Sequence, residues 1–522
     1  VRSHQVVHRF FELPLCQFLL LPLYPQNSWR TSFGLSGYDE GFEVIPVSDG
    51  GCYVVGRGAP IGHGVVKRLA ANGAEMWTIM VASGSGALLG GTLTQDGGLL
   101  AVGRNADPVY TNAFICKFSA LGVLEWSTSL GGVWSDIAFT CYQLEDLSYV
   151  VAGRYSEYNK DERLFIIKLG IEGDLIWGYF YGGFGLTVPT FVHATRILET
   201  KQGELVVLGY GEPTGSNGHS NVFLLKVDSA GGPLWMRSYG NEAFDDGMDM
   251  VITQDNGFAV CGWSHSGSSD SGFLLRMDAN GYLEWVRRYD TASREGFFSL
   301  TGLDDGGFTI LGTTSTTSSD RNILMIRCDS VGNVLWSRRR SELSIDHGHS
   351  LRRAADNGYF ISGYWEVGDY NWDATVLRTE EIPDECGWYD WPVILTPYYY
   401  NTVLQIPIVG VFNIVQISEP VLASGVPTNS FCPIPTTLPN SDAADLFTVV
   451  PNPTSNRFKI QCEFEEILTV RLLDLRGRLI LERTGLLANL EFDLSNEPSM
   501  IYLLTIDTEK WQRTLKVVLC NE

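Results

Sequence analysis

The chain is poor in charge. Asp, Glu, Lys and Arg make up 19% of its 522 residues, and the basic residues are the scarcer, 37 against 60, for a net charge of −23. A surface so acidic repels phosphate backbones and anionic lipid heads, so nucleic acid is not an expected partner. Past the N-terminus, no segment has the roughly 20 uninterrupted apolar residues of a membrane span. The ten cysteines include no CxxC pair and no Cys/His cluster at zinc spacing. GxSxG, HExxH and GxxxxGK[ST] are also missing, so the common hydrolase and nucleotide signatures are absent. The sequence therefore assigns no catalytic, cofactor-binding or metal-binding residue.

What is present is apolar and turn-rich: 44% hydrophobic, 12% aromatic, with 56 glycines. That mixture suits an all-β protein of many short strands. Trp29, Trp77, Trp126, Trp177, Trp235, Trp285 and Trp336 follow one another at 48 to 58 residues, the period of a propeller or solenoid. Between them runs a series of turns: Asp49-Gly50-Gly51, Asp96-Gly97-Gly98, Asp255-Asn256-Gly257, Asp305-Gly306-Gly307 and Asp356-Asn357-Gly358. Weaker versions stand at Glu145-Asp146 and Lys201-Gln202-Gly203.

Each unit reads as four strands, with tight hairpins where Gly or Asn tolerates positive φ. A lone four-stranded sheet cannot bury two apolar faces, so the units must stack, and a closed seven-bladed β-propeller is the natural solution. The last unit, His349 to Arg378, supplies only three strands, whereas "SWRTSF" at 28–33 has no partners of its own. This N-terminal strand is expected to complete the seventh blade.

One face of such a ring carries the short, uniform hairpins. The other carries the second-to-third-strand loops and blade links, which vary and hold aromatics, so recognition is expected there. Asp39, Asp136, Asp245, Glu295 and Asp346 recur just ahead of inner strands. They suit either a carboxylate crown for a divalent cation or backbone acceptors at blade junctions, and their repetition favours the second. His63, His219, His265, His347 and His349 show no ligand spacing. Cys52, Cys116, Cys261 and Cys328 read as buried hydrophobes, whereas Cys386 with Cys432 and Cys462 with Cys520 suit disulfides in an exported protein.

The ends of the chain carry a destination. Arg2 and Arg9 precede the apolar "FFELPLCQFLLLPLY" at 10–24, the pattern of a secretory signal peptide over 1–25. The propeller is expected over 26–382, a Pro- and aromatic-rich linker or small β unit over 383–445, and an immunoglobulin-like β-sandwich over 446–522. That last segment has Pro451-Asn452-Pro453, the turn Asp474-Leu475-Arg476-Gly477-Arg478, Leu494-Ser495, Ile501-Tyr502 and Lys516-Val517-Val518. On these residues it resembles the type A C-terminal sorting domain of the type IX secretion system of Bacteroidota, with Met500 where the family usually has Gly. The resemblance implies export to the cell surface or medium and the type IX machinery as a partner. The repeats resemble those of secreted Bacteroidota propellers.

The Asp-x-x-Gly-x-x-x-Trp step is also similar to the docking motif of pyrroloquinoline-quinone dehydrogenases and to the Asp-box of sialidases. Seven units, no Thr-Gly pair within that step and no identifiable arginine triad set the chain apart from both. The expected function is a surface or secreted binding or adhesion module for glycan or protein. The alternative is a propeller enzyme, a quinoprotein-like oxidoreductase or a glycan-active hydrolase or lyase, acting at the channel mouth.

Overall fold

A computed structural model describes residues 28–424 and 447–518, apart from loop stretches within each. The expected signal peptide and both expected disulfides lie outside the described residues and side chains. The chain forms two compact units, 1–429 and 430–522. Every described element is a β-strand or isolated bridge.

In the first unit, seven antiparallel sheets form the blades, at residues 40–82, 87–131, 137–182, 192–240, 244–290, 294–340 and 346–379. Ring closure occurs where the sequence places it. The strand Trp29–Phe33 lies antiparallel to Asn371–Thr379, with Trp29 opposite Arg378 and Thr31 opposite Val376. Trp29 and Phe33 then pack with Val44, Val54, Leu69, Phe360 and Val376, joining the seventh blade to the first.

The two repeated motifs have separate duties. Gly50 sits at φ 86° and donates its N–H to the Val47 carbonyl at 3.0 Å, closing a turn that a side chain at that φ would strain. The acidic residue beside each such turn latches a basic side chain on the third strand. The pairs are Asp49–Arg68, Asp96–Lys117, Asp146–Lys168, Glu204–Lys226, Asp255–Arg276, Asp305–Arg327 and Asp356–Arg378, one for each of the seven blades. Each tryptophan from Trp29 to Trp285 lies against the turn glycine of the next blade. At Gly122, for instance, an added Cβ would come within 2.9 Å of the Trp77 ring. Trp29 and Trp126 also donate their indole N–H to turn carbonyls, at 2.8 and 3.0 Å.

The segment after the seventh blade, expected as a linker or a small β unit, instead adds its strands to the blades. Trp388–Asp390, Ile394–Pro397, Asn401–Gln405, Ile408–Val411, Val415–Ile417 and Leu422–Ser424 each add a fifth, outermost strand to a blade. They take the sixth blade first and the first blade last, running backwards around the ring. An unpaired blade edge is a template for association, and this belt pairs six of them. The seventh blade ends on the short strand Trp29–Phe33, whose Arg30 and Ser32 are exposed. Trp336 has no turn glycine ahead of it in the seventh blade and packs in one cluster with Trp388.

The second unit holds a three-stranded sheet, Phe447–Val450, Arg457–Cys462 and Glu491–Asp493, and a four-stranded one, Leu479–Leu486, Ile467–Leu473, Ile501–Asp507 and Gln512–Val518. Val470, Leu472, Phe492, Leu494 and Leu504 are buried there.

Candidate functional site

Each inner strand carries one β-bulge at the same height, and the bulge turns an extra side chain toward the channel. The seven bulge residues are Phe42, Leu89, Phe139, Thr195, Met248, Phe298 and His349. Together they line a cavity of about 300 Å³ on the loop-bearing side of the channel. A second cavity of about 420 Å³, lined by Pro46, Tyr142, Leu198, Ile252, Gly302 and others near the inner-strand ends, opens on the hairpin side.

Between the two lies a charged septum. Glu43 Oε1 accepts from Arg196 Nη1 at 2.7 Å and from Arg352 Nη2 at 2.8 Å, and its Oε2 accepts the Gly91 N–H at 2.9 Å. Asp249 Oδ2 accepts from Arg352 Nη1 at 3.0 Å, the Ser299 hydroxyl at 2.8 Å and the Leu300 N–H at 3.0 Å. Arg196 Nε stands 3.5 Å from Asp249 Oδ1. Both carboxylates are buried, which alone would raise their pKa values. The two guanidinium groups outweigh burial, and both carboxyls end below the ordinary range. Two acids against two arginines leave no net charge, and the quartet ties the neighbouring first and seventh blades to the neighbouring fourth and fifth across the channel.

Above the septum, aromatic rings climb from the loop-side cavity to the rim of the seventh blade. The His349 ring lies 5.3 Å from Phe42 and 4.5 Å from His347. Tyr364 stacks on His347 at 5.2 Å, Trp372 stacks on Tyr364 at 4.4 Å, and exposed Tyr38 meets Trp372 edge-on at 4.8 Å. Across the mouth, His193 lies between Phe139 at 3.7 Å and Tyr210 at 5.0 Å. Burial, with Arg154 adding, drives the His193 imidazole down to about 3; burial, with Arg57 adding, drives that of His349 down to about 4. Both rings are therefore neutral in the fold at neutral pH and serve as flat surfaces.

The five repeated carboxylates do not converge on the channel. Asp39, Asp136, Asp245, Glu295 and Asp346 are each 5% exposed or less. Asp136 Oδ1 accepts the Ser156 N–H and Asp245 Oδ2 the Asn241 N–H, both at 3.1 Å, as junction acceptors do. Among the described residues no group of three His, Cys, Asp or Glu is placed to hold a metal ion. The septum's two carboxylates are already bound to arginine, a donor set that does not suit a quinoprotein's calcium. One acid on the loop side stands apart: burial lifts the Asp246 carboxyl to about 6, with Asp245 adding to the rise and the Ser220 hydroxyl, at 2.7 Å, opposing it.

The septum and the aromatic ladder were not singled out from sequence. Glu43, Arg196 and Asp249 each follow the bulge of their own strand, so a charge recurring in one column of the stacked repeats is the signal that would have found them.

No curated protein is significantly similar in sequence to the chain. Solved structures with a related shape include a protein of unknown function from Dyadobacter fermentans, at 11% identity and TM-score 0.38, covering 67% of this chain and 97% of that one. Sqt1 of Chaetomium thermophilum also has 11% identity and TM-score 0.38, covering 69% and 87%. The polysaccharide lyase Uly1 has 9% identity and TM-score 0.39, covering 67% and 92%. Among the described residues no helix is long and apolar enough to cross a membrane. Residues 448–520 match the family of secretion system C-terminal sorting domains. They carry the type IX export signal that the tail resembles, and the protein is one that is secreted or held on the outer cell surface.

Proposed function

We propose that the protein is an exported binding or adhesion propeller that takes a glycan or protein ligand at the loop-side mouth of its channel. The observation that carries this reading is the continuous aromatic path from exposed Tyr38 through Trp372, Tyr364 and His347 to the bulge ring. Flat rings exposed at a rim and continuing into a cavity offer stacking area at low conformational cost, as binding surfaces commonly do. The septum closes the floor beneath them, so a ligand sits in a cup and is not threaded through. In this reading residues 1–25 are a signal peptide and the two sheets of the second unit are the layers of an immunoglobulin-like sandwich that engages the type IX machinery of a Bacteroidota cell.

The test is a glycan and protein-partner screen on the full chain, repeated with Trp372→Ala. Hits that weaken about tenfold with the variant, the size of one stacking contact, support the reading. Hits indifferent to Trp372 and Tyr364 overturn it.

A glycan-cleaving hydrolase or lyase is the second reading, favoured by Asp246, whose carboxyl lies where general acid catalysts operate. It requires shortened saccharide products from the wild type and none from Asp246→Asn.

A further inference from the structure

One rung of the channel mouth is occupied very unequally. At the position on each second strand opposite the start of the inner strand, the first three blades carry Arg57, Arg104 and Arg154. The other four carry Tyr210, Trp263, Thr313 and Tyr364. Arginine is thus concentrated in one arc, and aromatic residues dominate the remainder.

The arc is incompletely neutralised, in a protein where acids outnumber bases 60 to 37. Arg57 meets Glu40 at 3.0 Å and Arg154 meets Glu162 at 3.3 Å, each through one terminal nitrogen. Their Nε atoms are buried with no hydrogen-bond partner. Inner-strand partners opposite the other two arginines offer no carboxylate, since Arg104 faces Ala87 and Arg154 faces Ile137. Arg104 itself is exposed and has no ion pair among the described residues. Burial first, then the charges of Arg57 and Arg154, make it a weaker base than usual, so the three guanidinium groups feel one another.

Three mutually repelling cations, held by their strands at one height, gain when an anion comes between them. Aromatic stacks stand at both ends of the arc: Arg154 acts on His193 and Tyr210, and Arg57 acts on His349. Sugar rings stack on such faces, and arginine forks grip carboxylate or sulfate in two-point contacts. The overall charge of −23 repels a polyanion from most of the surface, so an anionic ligand is drawn to local groups of cations such as this arc.

We infer that the arc Arg57, Arg104 and Arg154, with the His193–Tyr210 stack beside it, is a binding site for an acidic saccharide, one that bears carboxylate or sulfate groups. The inference rests on the ligand reading given above and narrows it to a chemical class.

The test titrates the full chain by calorimetry with trigalacturonate, with a sulfated neocarratetraose and with neutral maltotetraose, at low and at physiological salt. At least one acidic saccharide is expected to bind about tenfold more tightly than the neutral one, and which of the two does so identifies the anion. Added salt should weaken that binding. Arg104→Glu should erase the margin and Arg104→Lys should keep part of it, with melting temperatures unchanged because the residue is exposed. Equal affinity for charged and neutral saccharides, or an unaltered margin in Arg104→Glu, would overturn the inference while leaving a glycan-binding propeller intact. Binding of none of the three would overturn both.

Discussion

The two faces of the ring use the same kinds of residue to opposite ends. On the hairpin face, seven basic side chains meet seven turn carboxylates, six of them just before the positive-φ turn residue and Glu204 just after it, and each basic group is nearly or wholly buried. On the loop face, the rung of second-strand residues opposite the start of the inner strands carries arginine in three blades only, and its pairing is incomplete. Repetition with full pairing marks groups that hold the ring. Asymmetry with spare bonding capacity marks groups available to a ligand. The same contrast accounts for Asp39, Asp136, Asp245, Glu295 and Asp346, which repeat and are buried, with Asp136 and Asp245 accepting backbone N–H groups at the junctions.

The most damaging way to break this division is at the septum between the faces. Arg352→Ala leaves Glu43 and Asp249 buried with one arginine between them, and removing one partner from a buried ionic cluster costs about 3–5 kcal/mol. A chemical-denaturation midpoint shared with the wild type would refute that role. Next in size is a matched pair of variants, one on each face. Arg68→Ala frees the first-blade latch and should cost about 1–3 kcal/mol without changing ligand affinity. Arg104→Ala should shift stability by about 0.5 kcal/mol or less and weaken acidic-saccharide binding. Unfolding curves and titrations of both proteins, side by side, show whether the faces are separable in this way.

Acid also separates the faces, because every described histidine lies in, or just ahead of, the loop-side half of a strand. His193 and His349 have folded values of about 3 and about 4, below the roughly 6.5 of an unfolded imidazole. Below about pH 6.5 the unfolded chain takes up protons that the folded chain refuses, so stability falls as the pH drops from about 6.5 to about 4. His349→Phe should flatten that slope in melting temperature against pH. Glu43 and Asp249 have lowered folded values, so their contribution is full above about pH 4 and is lost only in stronger acid. The one expected gain in stability belongs to the hairpin face. Leu147 takes the φ of 69° that glycine takes in the equivalent turns, and Leu147→Gly should gain about 0.5–1 kcal/mol by differential scanning calorimetry.

The blades and their closure were legible because a 50-residue period repeats both the tryptophan and the turn glycine, and because the chain was one strand short at its C-terminal end and one over at its start. The belt was not legible. Its strands are three to five residues long, too short for alternation to show, and their partners are edges that exist only once the ring has formed. The septum was hidden for a related reason. Glu43 and Arg352 are 309 residues apart, and only ring closure, which sets the first blade beside the seventh, brings them together.

Hydroxyl-radical footprinting of the full chain, with and without its tightest-binding oligosaccharide, tests most directly the claim that one face binds and the other holds. Tyr38 and Phe244 are exposed at the loop face; Met76, Tyr282 and Leu335 are exposed near the hairpins. Ligand is expected to protect Tyr38 and Phe244 and to leave the other three as reactive as before. Protection of Met76, Tyr282 and Leu335 with Tyr38 and Phe244 unchanged would contradict it.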